Sequence, residues 1–371
     1  MSFFRRLYRG ETNLQFIASR KWWYLASAIV IVVCVLSIAF RGFNFGIDFA
    51  GGTQFQIPAN GNGVTASKVD SAFAAAGVKT ADVAQTVGTG SDRTIQVRTG
   101  SLDVSKAQTV EIAVAKKIGL KSATEISINS VGSSWGHDVT VKAIEGLVVF
   151  LIVVSIYISF RFQWRMAVGG IVALLHDLLI AAGIYSIIGF EVTPSTVVGL
   201  LTILGFSLYD TVVVYDKVAE NTRDLLAGSR ATYSDQANRA VNQTLMRSIN
   251  TSLIALLPVA GLLFVGAGLL GVGTIKDLAL ILFVGLASGA YSSLFLATPI
   301  VVDLTERMPE YQALTKRVVA KRSAEARRAE EDRELAAAGL ASTRSQRRSS
   351  GPAPAPKPGA RPATRQQRRR R

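Results

Sequence analysis

Six runs of mostly apolar residues, near 22–40, 139–160, 166–189, 194–217, 248–270 and 277–300, dictate the environment in which this chain folds. Each is long enough to cross a hydrocarbon layer about 30 Å thick as a helix rising about 1.5 Å per residue. With 49% hydrophobic and only 18% charged residues over 371 positions, the chain is too apolar for a soluble protein of its length. The reading is a polytopic α-helical membrane protein with six transmembrane helices.

Orientation follows from the lysines and arginines flanking the spans. The N-terminal segment 1–21 carries Arg5, Arg6, Arg9, Arg20 and Lys21; Arg161 and Arg165 follow the second span; Lys217, Arg223, Arg230, Arg239 and Arg247 follow the fourth. These positions lie on one side if there are six spans. Both termini and the loop 218–247 are therefore expected in the cytoplasm, and residues 41–138 outside. The first apolar run is longer than a signal-peptide core and lacks a small-residue cleavage site, so it reads as a retained span. Cys34 is the only cysteine, and the two histidines, His137 and His176, are too few for a histidine metal centre. No cofactor is expected.

The segment 41–138 has its own order. Gly52–Pro58 alternates as a strand; Thr65–Ala76 reads as a helix capped by Thr65 and stopped by Gly77. Ala81–Val87 and Arg93–Thr99 read as strands flanking a GTGSD hairpin loop, Leu102–Ile118 as a second helix, and Ala123–Val131 as a last strand. The order β-α-β-β-α-β is that of a ferredoxin-like α+β domain. The stretch 301–371 differs: partly helical at first, then rich in Pro, Ala and Arg, and expected to be disordered at its end. It holds about two-thirds of the net charge of +15. A solvated tail resting on anionic lipid is the preferred reading, and ribosomal RNA or another polyanion the alternative.

Asp210 lies well inside the fourth apolar run. A charged side chain at that depth costs about 2.5 to 3.5 kcal/mol on insertion scales, so it is expected to face a bundle interior or an aqueous path. Ser207 lies one turn before it, and Tyr209 and Thr211 adjoin it. In the fifth run Arg247, Asn250 and Thr251 are three and four residues apart, on one helix face. Asp210 sits about 10 Å above Lys217 at 1.5 Å per residue, so Arg247 and Asp210 are expected to meet in the inner half of the bundle. A permanent ion pair would lock two helices. A carboxylate that takes and loses a proton is the favoured reading, because apolar contacts serve stability at least as well. Asp177, beside His176 in the third run, is a second intramembrane acid, either functional or holding helix register. After the first run, Gly46, Gly51 and Gly52 surround Asp48 and form either a rigid lead-in to the strand or a hinge. No G-x-x-x-x-G-K-[ST], G-x-S-x-G or H-E-x-x-H signature stands out, and ATP chemistry within this chain finds no support in the sequence.

FNFGIDFAGGT after the first run, SFRFQW after the second, LLHDLLI in the third, GFSLYDTVVVYDKVAENTR in the fourth and NQTLMRSINTSLIALLP into the fifth together resemble the SecF family, over about residues 10–305. The resemblance implies a bacterial cytoplasmic-membrane subunit related to the resistance-nodulation-division exporters. It would pair with SecD, associate with SecYEG downstream of SecA, and use the proton motive force on a translocating polypeptide. On it, Asp210 matches the family's relay aspartate and Arg247 its partner arginine. The rivals are half of an exporter of lipids or small amphiphiles, and a scaffold that transports nothing.

Overall fold

The computed structural model describes residues 14–59, 63–81, 83–87, 93–269 and 273–337. The arginines before residue 14, the GTGSD loop and the tail beyond residue 337 lie outside the described residues. Among the described residues, six helices are long and apolar enough to cross a membrane: α1 (Arg20–Arg41), α5 (Ser133–Arg161), α6 (Trp164–Ile188), α7 (Pro194–Thr222), α8 (Tyr233–Ala260) and α9 (Gly273–Ser292). Two of them change pitch. α8 passes into a wide π turn over Gly261–Leu269. α9 passes through a second π segment, Ser293–Ala297, into α10 (Thr298–Glu306).

Between α1 and α5 lie β1 (Asn44–Phe45), the one-turn helix α2 (Ile47–Ala50), β2 (Gly52–Pro58), α3 (Ala66–Ala75), β3 (Gln85–Val87), β4 (Thr94–Thr99), α4 (Val104–Ile118) and β5 (Ser127–Val131). Four of these strands form one antiparallel sheet ordered β3-β4-β2-β5. Thr65 caps α3 by accepting from the Lys68 backbone N–H, as its position before the apolar run predicts. The alternation in β2 and β4 sends Phe55, Ile57, Ile95 and Val97 into a core with Phe73, Val110 and Val114. Gln54, Gln56 and Gln96 occupy the opposite face. Two strands are shorter than expected. β3 keeps only the last three residues of its run, and a 3-10 turn at Ala123–Glu125, closed by a Ser122/Glu125 capping box, precedes β5.

The loop expected over 218–247 is largely helix. Thr232 and Asp235 form a capping box that starts α8 at Tyr233, and its early turns bury Ala237, Asn238, Val241 and Asn242. The polar members of that face are in use: both asparagine side-chain amides donate to the Leu14 carbonyl at 2.9 Å, and their oxygens accept from the Ile17 and Leu14 N–H groups. Asn and Arg dilute the apolar periodicity here, which is why the span reads as starting later.

Close approach of backbones sets the bundle. A Cβ at Gly199 would stand 2.5 Å from the Ile281 side chain, and one at Gly289 would stand 2.9 Å from Ser207 Cβ, so α7 and α9 meet through glycines. On α6, Gly183 receives Cys34 of α1 in the same way. Arg20 pairs with Asp303 at 3.0 Å and ties the start of α1 to α10; Arg161 pairs with Asp216 at 2.6 Å between α5 and α7. Much of α1 and α5 faces outward, with Phe160 at 93% exposed, as suits lipid or another subunit.

A last helix, α11, runs over Pro309–Ala337. The described residues from 314 to 337 belong to a unit of their own. Within it, residues 319–334 are exposed and rich in Arg, Glu, Lys and Ala, strong helix formers that sustain a helix polar all round.

Gly289→Leu should force α7 and α9 apart and lower bundle stability by about 1 to 3 kcal/mol, the usual cost of overpacking. Gly146→Ala, inside α5 where an added Cβ meets nothing within 4 Å, should not lower it and should raise it by up to about 1 kcal/mol. Thermal unfolding of the purified protein in detergent measures both.

Candidate functional site

Two carboxylates lie deep in the bundle. Asp210 of α7 is 2% exposed and Asp177 of α6 is 1% exposed. Each is enclosed by serine hydroxyls. Ser248 of α8 donates to Asp210 at 2.7 Å, and Ser293, at the start of the π segment, donates at 2.5 Å. Asp177 receives Ser207 of α7 at 2.6 Å and Ser288 and Ser292 of α9, both at 2.7 Å. His176 Nδ1 stands 3.2 Å from the same carboxylate. Ser288 and Ser292 are four apart and share one face of α9, so both reach α6; Ser293, about 100° further round, reaches α7. Adjacent residues on one helix therefore hold two different acids.

The magnitudes show that no arginine is required. A hydrogen bond to a charged group contributes about 1.5 to 3 kcal/mol, and two or three of them match the insertion cost of about 2.5 to 3.5 kcal/mol. Hydroxyls differ from a guanidinium in one further respect: a serine donates to an ionised carboxylate and, by rotating, accepts from a protonated one. The enclosure can serve either protonation state.

Arg247 does not meet Asp210. Its guanidinium is exposed and donates to the Tyr209 hydroxyl at 3.2 Å, while Ser248, the next residue, holds the acid. One residue of helix rotation separates the two faces. The pairs Tyr209–Arg247 and Asp210–Ser248 are consecutive on α7 and α8, with the cation at the rim and the carboxylate inside. Asn250 is exposed, and Thr251 returns its hydroxyl to the Arg247 and Ser248 carbonyls of its own helix. Thr211 is buried toward Gly170 of α6, and Ser207 serves Asp177. The serines of α9 and Ser248 are the residues that sequence reasoning missed. Their signal was present as ASGAYSS in the sixth span, where three serines interrupt an apolar run.

Gly46, Gly51, Gly52 and Asp48 lie at the join between the bundle and the sheet. Added Cβ atoms would stand 2.9 Å from Glu191 Oε1 at Gly46, 2.9 Å from Ser133 Cα at Gly51 and 2.5 Å from the Thr99 carbonyl at Gly52. Gly51 and Gly52 also adopt φ of +70° and +128°, which side-chain-bearing residues rarely do. β1 pairs in parallel with β6 (Glu191–Val192), in the connection between α6 and α7. Arg98 of β4 donates to the Phe45 carbonyl at 2.6 Å and faces Glu191 at 3.5 Å. Asp48 borders a polar cavity of about 420 Å³ beneath the glutamine face of the sheet. The join is tightly packed.

Six helices of membrane-spanning length, a small four-stranded sheet domain and two acids buried in the bundle define a polytopic membrane protein of transport character. Residues 111–307 match the family model described as protein export membrane protein SecD/SecF, C-terminal, and residues 36–61 match the SecD/SecF GG motif, which contains Gly51 and Gly52. The chain is 46% identical to the protein translocase subunit SecF of Streptomyces coelicolor, covering 86% of this chain and 84% of that one. It is 45% identical to the SecF subunit of Mycobacterium tuberculosis, covering 87% and 74%. The crystal structure of SecDF, a translocon-associated membrane protein from Thermus thermophilus, superposes with a TM-score of 0.70 at 30% identity over 80% of this chain. The chain spans about two-fifths of that one, 39% of its length. The chain belongs to the SecD/SecF family of protein-export membrane proteins and resembles its SecF subunits throughout the described bundle.

Ser293→Ala leaves Asp210 one hydroxyl and should destabilise the bundle by about 1.5 to 3 kcal/mol; Ser293→Thr, which restores an oxygen, should recover most of it. Unfolding of each purified variant at neutral pH measures the difference.

Proposed function

We propose that this protein promotes late steps of protein export across a bacterial cytoplasmic membrane by moving protons past Asp210. The observation that carries the reading is the enclosure of Asp210 by two hydroxyls with Arg247 held at the rim by Tyr209. A carboxyl in that setting changes protonation without leaving a buried cation unpaired. Arg247 acts as the mobile partner: approaching Asp210 it favours the ionised form, withdrawing it favours the protonated one. Asp48 and its glycines form the joint that carries a change in the bundle to the sheet domain, reinforced by Arg98. Their close packing favours a stiff lever over a loose hinge.

The β-α-β-β-α-β segment is read as a ferredoxin-like domain on the outer side, where it meets the emerging polypeptide. Both termini lie in the cytoplasm by the bias of lysine and arginine. A SecD-type partner supplies the other half of the bundle. Two features favour this: the fusion of both halves in the SecDF protein of Thermus thermophilus, 33% identical over 78% of this chain, and the outward face of α7 and α8. There Val198, Tyr209, Leu253, Ile254 and Leu257 are 51% to 75% exposed. SecYEG and SecA act at the same translocation site, upstream of the proton step. The arginine-rich end rests on anionic lipid or, less favoured, on the ribosome.

Pulse-chase export of a secretory protein, in cells depleted of the native subunit and complemented at matched membrane levels, tests the proposal. Asp210→Asn should assemble with the partner while export slows by about a hundredfold or more, the lower end of what proton-transfer groups contribute. Export at the wild-type rate would leave Asp210 a structural residue and favour a scaffold.

A further inference from the structure

The chain enters α1 through a strap, residues 14–19, whose main chain is fastened to α8 by two buried asparagines. Asn242 Oδ1 accepts from the Leu14 N–H at 3.0 Å and Asn238 Oδ1 from the Ile17 N–H at 3.2 Å, while both side-chain amides donate to the Leu14 carbonyl at 2.9 Å. A primary amide supplies donor and acceptor together, so each asparagine meets the strap much as a neighbouring strand would. Phe16 and Ile17 are buried in the same apolar cluster as Val214, Tyr215 and Val218, which lie one and two turns beyond Asp210 on α7. The strap thus adds to the apolar layer on that side of the carboxylate.

The strap has a second attachment. The Phe16 and Phe295 ring centroids stand 5.5 Å apart, and the Trp23 ring lies 4.4 Å from Phe295 while its N–H donates to the Phe16 carbonyl at 3.2 Å. Phe295 belongs to the π segment Ser293–Ala297. The two attachments therefore fall on the two elements whose hydroxyls enclose Asp210. Ser248 follows Asn242 on α8 by six residues, about 9 Å at 1.5 Å per residue, and Ser293 precedes Phe295 by two. Pairing the buried strap backbone would by itself account for the asparagines. It does not account for the strap's rings closing on the segment that carries Ser293. We propose that Asn238 and Asn242 are positioning residues for Asp210: by clamping the strap they hold α8 and the π segment at the separation at which Ser248 and Ser293 both reach the carboxylate. With the clamp released, the two hydroxyls part and that end of the bundle opens toward Asp210. The inference rests on Asp210 being the working acid, and it places a control on that acid at the entry to the first span.

The test uses the full chain assembled with its SecD-type partner in proteoliposomes, treated at one fixed pH with dicyclohexylcarbodiimide, a membrane-soluble reagent that couples to accessible carboxyls. Modified peptides are quantified by mass spectrometry. Asn242→Leu, which removes two of the four strap bonds, should raise the modification rate of Asp210 about tenfold, the population shift that one net hydrogen bond supports. Phe16→Ala, which cuts the tie to Phe295 and leaves α8 unaltered, should raise it as well, and it decides alone if Asn242→Leu does not fold. Asp177, whose donors Ser207, Ser288 and Ser292 lie on α7 and α9, should keep its rate in both variants. An unchanged Asp210 rate in either folded variant would overturn the proposal, and so would an equal rise at Asp177, the mark of general loosening. The reagent reads access to the carboxyl and not proton movement, so normal export by Asp210→Asn would sink the proton reading while these outcomes still decide the positioning role.

Discussion

Three hydroxyls on one helix organise the transmembrane bundle. Ser288 and Ser292 reach Asp177 on the third span, and Ser293 reaches Asp210 on the fourth, so the sixth span is bonded to both acids at once. Ser207 and Ser248 complete the enclosures from the fourth and fifth spans. Four of the six spans therefore converge on two carboxylates that lipid would otherwise reject. The glycines at 199 and 289 follow from the same demand, because hydroxyl-to-carboxylate bonds of 2.5 to 2.7 Å need backbones closer than larger side chains allow. The pitch change at Ser293–Ala297 begins where these contacts are made. Such wide turns occur often at functional sites.

An enclosure of neutral hydroxyls has different consequences from an ion pair. A buried guanidinium would fix the carboxylate in its ionised form, and removing either partner would strand a charge. Serines accept or donate as the carboxyl requires. Holding Arg247 outside by Tyr209 keeps the positive charge within one helix face of Asp210 without committing it there. In the proposed function that separation is the state from which arginine advances. The tightly packed glycine joint and Arg98 then supply a stiff connection to the sheet domain, with little slack in which a displacement would be lost.

The six spans, the order of strands and helices in the segment between the first two, and the burial of Asp210 were legible in the sequence. Each rests on strong periodicity or on a large transfer energy. The start of the fifth helix was not, because Asn238, Asn242 and Arg239 dilute its apolar face while the asparagines serve the Leu14 backbone. The pairing of Arg247 with Asp210 was misplaced by one residue. Helical spacing groups Arg247 with Asn250 and Thr251, but which face turns inward is decided by packing, and Ser248 lies on the inward one. Ser248, Ser288, Ser292 and Ser293, unlike Ser207, were not legible because a single hydroxyl costs little in a span. Their meaning emerges only when helices distant in sequence bring several to one carboxylate.

The central claim is that Asp210 changes protonation during work. Infrared difference spectroscopy on proteoliposomes holding the protein with its partner, before and after a proton gradient is imposed, reads this directly. The account predicts a carboxyl C=O band that appears or disappears with the gradient, shifts on aspartate isotope labelling and is missing in Asp210→Asn. A gradient that leaves every carboxyl band unchanged in the wild-type protein, while export in the same vesicles responds to it, would contradict the account.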